Sequence, residues 1–197
     1  MYPDILKKYT IILASKSPRR QYLLKELGFN FIIDTSFDVD EVYSDSLTKN
    51  EIPVYLSELK ANAFKKPIAE NEVLLTADTI VWLDGQMVGK PRDREDAVDI
   101  LRSLSGNMHE VITGVCLRSN RKTKTFTALS EVYFKTLDDD EINYYIDNYQ
   151  PFDKAGAYGV QEWIGYVGVE KIHGSYFNVM GLPIQKLYVE LIKFIDN

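Results

Sequence analysis

One segment limits the architecture more than any other. From Glu72 to Leu83 the chain reads Glu-Val-Leu-Leu-Thr-Ala-Asp-Thr-Ile-Val-Trp-Leu, apolar at odd and even positions alike except around Asp78. Successive side chains of a strand point to opposite faces, so a strand that is apolar throughout is one covered on both sides. This segment is therefore predicted to be a central, buried strand, and Asp84-Gly85 supplies the turn that ends it.

The rest of the chain surrounds that strand with both element types. Thr10 to Ala14 is a short apolar run; Ser17-Pro18 follows, then Leu23, Leu24 and Leu27 at helical spacing, which reads as strand, tight loop, helix. Phe29 to Ile33 reads as a second strand, and Ile52 to Phe64 as a helix with Leu56, Leu59 and Ala63 on one face. Pro91 to Leu104 is an amphipathic helix with Asp93 as candidate N-cap and Gly106 closing it. His109 to Arg118 and Lys122 to Thr136, on either side of Ser119-Asn120-Arg121, predict an antiparallel hairpin. Asp138 to Glu141 puts negative charge on the first turn of a short helix ending near Asn148, and Leu182 to Ile195, with Pro183 early, is the closing helix. Helices and strands alternate without a strict βαβ rhythm, so a mixed α/β sheet is expected. At 197 residues the chain fits one domain, 1–197, or one core pinched into two lobes.

Composition narrows the function. With 45% hydrophobic and 26% charged residues the chain is neither disordered nor fibrous. A net charge of −6 argues against a nucleic-acid polymer as partner, which needs many Lys and Arg over one face; a small anion needs only a local basic cluster. No apolar stretch approaches the roughly 20 residues that cross a bilayer, and Met1-Tyr2-Pro3-Asp4 lacks the regions of a signal peptide. The single cysteine, Cys116, sits in an apolar run and reads as a buried thiol in a reducing compartment. The expected location is the cytoplasm, with no membrane partner.

Ala14-Ser15-Lys16-Ser17-Pro18-Arg19-Arg20 joins a strand to a helix, where unpaired N–H groups, two guanidinium forks and serine hydroxyls suit a phosphate. The alternative is that Ser17 is only an N-cap, Pro18 a first-turn residue and the arginines a solvated face. Asp78 is a stronger signal, because a carboxylate in an apolar strand is costly unless paired or metal-bound. It is either a functional acid or half of a structural ion pair. Glu41, Lys60 and Lys90 are uninformative alone. Asp153 to Gln161 is dense in small residues; it either admits a ligand close to the backbone, with the Gln161 amide reading a base edge, or is a Gly-rich connector. His109 and His173 show no metal-ligand spacing, and Tyr144, Tyr145 and Tyr149 at helical spacing read as core and interface rather than a base platform. P-loop, dinucleotide-binding and nucleophile-elbow motifs are absent from the sequence.

Six segments in order, Leu13 to Arg20, Ala77-Asp78-Thr79, Gly89-Lys90-Pro91, Leu104-Ser105-Gly106, Asp153 to Gln161 and Asn178 to Pro183, resemble the signatures of the Maf family of nucleotide pyrophosphatases. The resemblance implies an elongated, twisted mixed sheet flanked by helices, two lobes around a central cleft as in inosine triphosphate pyrophosphatases, and a homodimer. It implies hydrolysis of the α–β phosphate bond of a nucleoside triphosphate with a divalent cation, and Glu41 matches a further acid of the site; the mechanistic hypothesis built on it has Mg²⁺ or Mn²⁺ held by Asp78 and Glu41 plus substrate oxygens. Asp78 matches the proton acceptor; Ser15, Arg19, Arg20, Lys60, Lys90 and Lys154 match phosphate-side positions. Arg19, Thr79 and Gln161 match the branch acting on dTTP and UTP. Glu162, followed by Trp163 and Ile164, departs from the pattern, which has glycine there, and bears on base preference. The rival reading is a nucleotide-binding regulator of septum formation that does not hydrolyse its ligand; a weaker one is a house-cleaning enzyme for deaminated purines.

Overall fold

A computed structural model of the chain describes residues 6–196; the N-terminal residues read above for a leader, and Asn197, lie outside the described residues. The strands are β1 (Thr10–Leu13), β2 (Phe31–Ile33), β3 (Glu72–Leu83), β4 (Gln86–Val88), β5 (Met108–Arg118), β6 (Thr123–Phe134) and β7 (Val169–His173). The helices are α1 (Pro18–Glu26), α2 (Glu51–Ala63), α3 (Arg94–Leu104), α4 (Asp139–Tyr149), the short α5 (Trp163–Val167) and α6 (Tyr176–Val179), and α7 (Ile184–Asp196). None of the described helices is long and apolar enough to cross a membrane.

The strands form one mixed sheet in the order β2-β1-β3-β5-β6-β7, with β4 pairing β3. β1 runs parallel to β2 and β3, while β3/β4 and β6/β7 are antiparallel. The mixed α/β expectation holds, and β3 is interior as its two-sided pattern requires. Val73, Leu74, Leu75, Ala77, Ile80 and Val81 are each at most 3% exposed.

The chain divides into two compact units interleaved in sequence. The first comprises Met1–Asp78, Thr113–Ala128 and Gly181–Asn197; the second comprises Thr79–Ile112 and Leu129–Met180. β3, β5 and β6 thus each give part of their length to one unit and the rest to the other.

In the first unit, β1 pairs with β3 from Thr10↔Glu72 to Leu13↔Leu75. Ile12, Leu74 and Cys116 on the strands and Ala14 just past β1 pack with Ala61 of α2 and with Phe64 just beyond it, and Phe37 and Ile68 lean on the cluster. The face that α2 buries differs from the expected one. Ile52, Pro53, Leu56, Ser57 and Ala61 are inside, whereas Leu59 and Ala63 are half-buried. A polar contact explains the rotation: the buried Thr76 hydroxyl donates to the Ser57 carbonyl at 2.6 Å, turning Ser57 toward β3. α2 also approaches β5 closely enough that only a glycine fits at position 114. A Cβ there would lie 2.2 Å from the Pro53 carbonyl carbon and oxygen, far inside van der Waals contact. α7 buries Leu187, Leu191 and Phe194, and Tyr188 stacks on Phe29 with ring centroids 6.4 Å apart.

In the second unit, Asp93 caps α3 by accepting from the Asp96 N–H at 2.9 Å, so the helix begins at Arg94 rather than Pro91. Asp138 and Glu141 form a reciprocal capping box at the start of α4. Arg94 forks onto Asp147 and Arg102 onto Asp139, joining the two helices above the buried Leu101, Ile142 and Ile146. His109 is 1% exposed; its Nε2 lies 2.7 Å from the Tyr158 hydroxyl, and its ring sits edge-on to Phe134 and Tyr158. Burial pushes its pKa down to about 4, so it stays neutral at physiological pH. The stretch from Pro151 to Gln161 is built as two 3-10 turns, Pro151–Asp153 and Ala155–Ala157, and the Gly156 N–H donates to the Gly89 carbonyl at 3.0 Å.

Candidate active site

In the first unit the site follows from parallel pairing. The Ala14 N–H donates to the Leu75 carbonyl at 3.0 Å, so β1 ends level with the stretch of β3 that leads to Asp78. The carboxyl ends of parallel strands are where α/β sheets place ligands. Ser15 to Ser17 turns the chain into α1, with Ser17 as N-cap and Pro18 in the first turn, as one of the two sequence readings had it. The buried Ser15 hydroxyl accepts from the Ser17 N–H at 3.2 Å.

Arg20 is not a solvated side chain. Arg20 donates through Nε to the Gly181 carbonyl and through Nη1 to the Ala77 carbonyl, each at 2.8 Å. Its fork therefore fastens α1 to β3 beside Asp78 and to Gly181 in the segment leading into α7. Burial lowers the guanidinium pKa, Asp78 and Glu41 raise it, and Arg19 is near enough to lower it further. Ser15, Arg19, Arg20, Glu41 and Asp78 thus share one locality.

Lys60 completes it. Asp78 is 8% exposed, and its Oδ1 is 2.5 Å from the Lys60 ammonium, which also lies 2.8 Å from Glu41 Oε1. The helix face described above aims Lys60 here, since Ala61 and Ser57 on either side of it are seated against the sheet. One cation serves two carboxylates, so a further positive charge here is electrostatically favourable. Among the described residues no group of three or more His, Cys, Asp or Glu converges as a metal cage. Two converging carboxylates nevertheless fit Mg²⁺, which typically takes one or two protein carboxylates and completes its shell with water and substrate phosphate.

In the second unit Thr79, half-buried, follows Asp78 directly. The Gly156-to-Gly89 hydrogen bond joins the segment carrying Lys154 to the loop carrying Lys90, which is exposed. Lys154 is 8% exposed and bonds Asp153 at 2.7 Å and Glu162 at 3.2 Å. Gln161 Oε1 is a buried acceptor with no donor among the described residues. Tyr145 and Glu162 form a hydrogen bond that the sequence reading did not anticipate, since one residue was read as core and the other as a departure from a motif. A phenol at a fully buried helix position is the signal that was available, because such hydroxyls take partners.

A family model described as Maf-like protein matches residues 10–194. The chain is 58% identical over 188 residues to a dTTP/UTP pyrophosphatase of Bacteroides thetaiotaomicron, covering 95% of this chain and 97% of the relative. A protein of the same name from Parabacteroides distasonis is 54% identical over 189 residues, covering 96% and 98%. A third, from Porphyromonas gingivalis, is 47% identical over 193 residues, covering 97% of each. Among solved structures, a HAM1 protein from Coxiella burnetii is 17% identical with a TM-score of 0.41, over 64% of this chain and 73% of that one.

Proposed function

The chain belongs to the Maf family, and on that premise we propose that it hydrolyses dTTP and UTP to the monophosphate and pyrophosphate. The observation that carries the reading is Asp78, a buried carboxylate midway along β3 just past the level where the parallel strand β1 ends, 2.5 Å from the Lys60 ammonium. In the proposed reaction a water oxygen bonds to the α-phosphorus, the bond from that phosphorus to the α–β bridging oxygen breaks, and pyrophosphate departs with that oxygen. Asp78 orients the water and takes its proton. Ser15, Arg19, Arg20, Lys60, Lys90 and Lys154 bind the phosphates and stabilise the charge that builds on the leaving group.

Asp78 and Glu41 would also hold a divalent cation, Mg²⁺ or Mn²⁺. Such an ion neutralises phosphate oxygens and polarises the phosphorus. Arg19, Thr79 and Gln161 are the proposed specificity residues. The unpartnered acceptor of Gln161 supports a thymine or uracil base, whose ring N3–H is a donor where the cytosine N3 is an acceptor. A cytoplasmic location and a homodimer belong to the same proposal. The buried Cys116, whose thiol pKa burial raises to about 11, supports the first; family resemblance supports the second.

The test is a panel of normal and modified nucleoside triphosphates with Mg²⁺ or Mn²⁺, measuring monophosphate and pyrophosphate together. Equal yields with dTTP or UTP preferred are expected; saturable binding without pyrophosphate would instead favour the regulatory reading. Asp78→Asn keeps the shape but cannot take a proton, so turnover should fall roughly 10²- to 10⁴-fold with nucleotide binding retained. Undiminished turnover would remove Asp78 from its role.

A further inference from the structure

Glu162 occupies the N-cap position of α5, yet its side chain makes no cap hydrogen bond. Both carboxylate oxygens point elsewhere. Oε1 lies 3.2 Å from the Lys154 ammonium, and Oε2 accepts from the Tyr145 hydroxyl. That hydroxyl also accepts from the Gly159 N–H at 2.9 Å. The Glu162 N–H closes the turn by donating to the Gly159 carbonyl at 2.9 Å. Gly159, the tyrosine and the glutamate therefore form a closed ring of hydrogen bonds, with Lys154 attached to its carboxylate and Gln161 inside the turn it spans.

The fit is tight. A Cβ on residue 159 would lie 2.7 Å from Glu162 Cδ, 2.9 Å from Glu162 Oε1 and 2.9 Å from Gln161 Nε2, so the glycine backbone lies directly against both side chains. Tyr145 is fully buried, and its phenol is kept protonated by that burial and by Glu162, which makes it a donor to the carboxylate at every ordinary pH. Asp153, the other carboxylate on Lys154, has a side chain 59% exposed against 20% for Glu162. The buried anchor of the ammonium is thus Glu162.

We propose that Glu162 is a positioning residue for nucleotide recognition, setting Lys154 through one oxygen and, through Tyr145, the Gly159–Gln161 turn through the other. The proposal rests on the reading of Lys154 and Gln161 as substrate-binding residues. Its two arms separate by substitution. Tyr145→Phe cuts the link to the turn and leaves Lys154 its carboxylate; Glu162→Gln keeps an acceptor for Tyr145 and removes the charge from Lys154.

The experiment measures kcat and KM for dTTP, UTP, CTP and GTP in wild type, Tyr145→Phe, Glu162→Gln and Glu162→Ala, with thermal unfolding of each. Tyr145→Phe is expected to lower the ratio of kcat/KM for dTTP over CTP by about tenfold, and Glu162→Gln to raise KM for every nucleotide by about tenfold while keeping that ratio. Glu162→Ala should show both effects. Variants that lose thermal stability but keep the wild-type ratio and KM would overturn the proposal, because they would mark Glu162 as structural only. If wild type turns over no nucleotide, the pyrophosphatase reading fails by itself. The positioning claim is then read from amide exchange at Gly159, faster in Tyr145→Phe and in Glu162→Ala if it is right and unchanged if it is wrong.

Discussion

Gly114→Ala is a single-methyl perturbation whose effect should travel from packing to chemistry. The added Cβ would meet the Pro53 carbonyl carbon and oxygen at 2.2 Å and the Val54 nitrogen at 2.5 Å. All three are main-chain atoms of α2, so no rotamer change relieves the clash. Ordinary contact is about 3.5 Å, so the helix must retreat by roughly 1 Å. That retreat strains the 2.6 Å bond from Thr76 to the Ser57 carbonyl and lifts Ala61 from its seat among Ile12, Leu74 and Cys116. Overpacking costs about 1–3 kcal/mol, and leaving a buried hydroxyl unsatisfied costs about 1–3 kcal/mol more. A total near 3 kcal/mol corresponds to a Tm lower by roughly 10 °C for a chain of this size. The same displacement moves Lys60 relative to Asp78, and a shift of about 1 Å in a catalytic constellation can lower turnover about 10²-fold. Circular dichroism melts and pyrophosphate release on the same samples are the assay. A variant that keeps the wild-type Tm to within about 2 °C, with unchanged turnover, would refute the claim that α2 is wedged against β5 and that this wedge aims Lys60.

Two further outcomes follow from the second unit. His109 has a folded pKa of about 4 against 6.5 when exposed, so its contribution to stability is fully present above about pH 6.5 and declines as the pH falls toward 4, where the unfolded chain is already protonated. Between about pH 7.5 and about pH 5.5, wild type should lose about 1.4 kcal/mol more in urea unfolding than His109→Gln, whose amide can keep a Tyr158 contact without titrating; equal losses would show that His109 is not held neutral. Asp138→Ala removes the capping box of α4 and should cost about 1 kcal/mol in the same assay, with no cost expected only if the helix start is fully solvated.

What the sequence made legible was whatever rests on local pattern. β3 was readable because apolar residues on both faces leave few alternatives, and α3 because Asp93 and Gly106 bracket it. β7 was not readable: Val169 to His173 is short, and Glu170, Lys171 and His173 are exposed, as befits an edge strand that shows half an alternation at most. The face of α2 was misjudged because the contact that sets it, Thr76 to Ser57, is a long-range hydrogen bond with no periodicity to betray it. Asp78 announced itself by its cost in an apolar strand, whereas its partners Lys60 and Glu41 carried no local mark and entered only through family resemblance. Arg20 reads from sequence as a phosphate ligand, yet its fork also holds the main-chain carbonyls of Ala77 and Gly181, each at 2.8 Å. Any hold it has on phosphate is added to a structural anchor that no motif spells out.

The interleaving of the two units has a consequence for how the chain is made. Synthesis delivers both segments of the second unit by Met180, whereas the first unit, begun earliest, still lacks everything from Gly181 onward. Until α7 emerges, Leu187, Leu191 and Phe194 are missing from that core and the Gly181 carbonyl is missing from the Arg20 fork. A chain released at Met180 would therefore carry every residue assigned here to catalysis and recognition, yet would lack one of the two carbonyls that hold α1 beside Asp78.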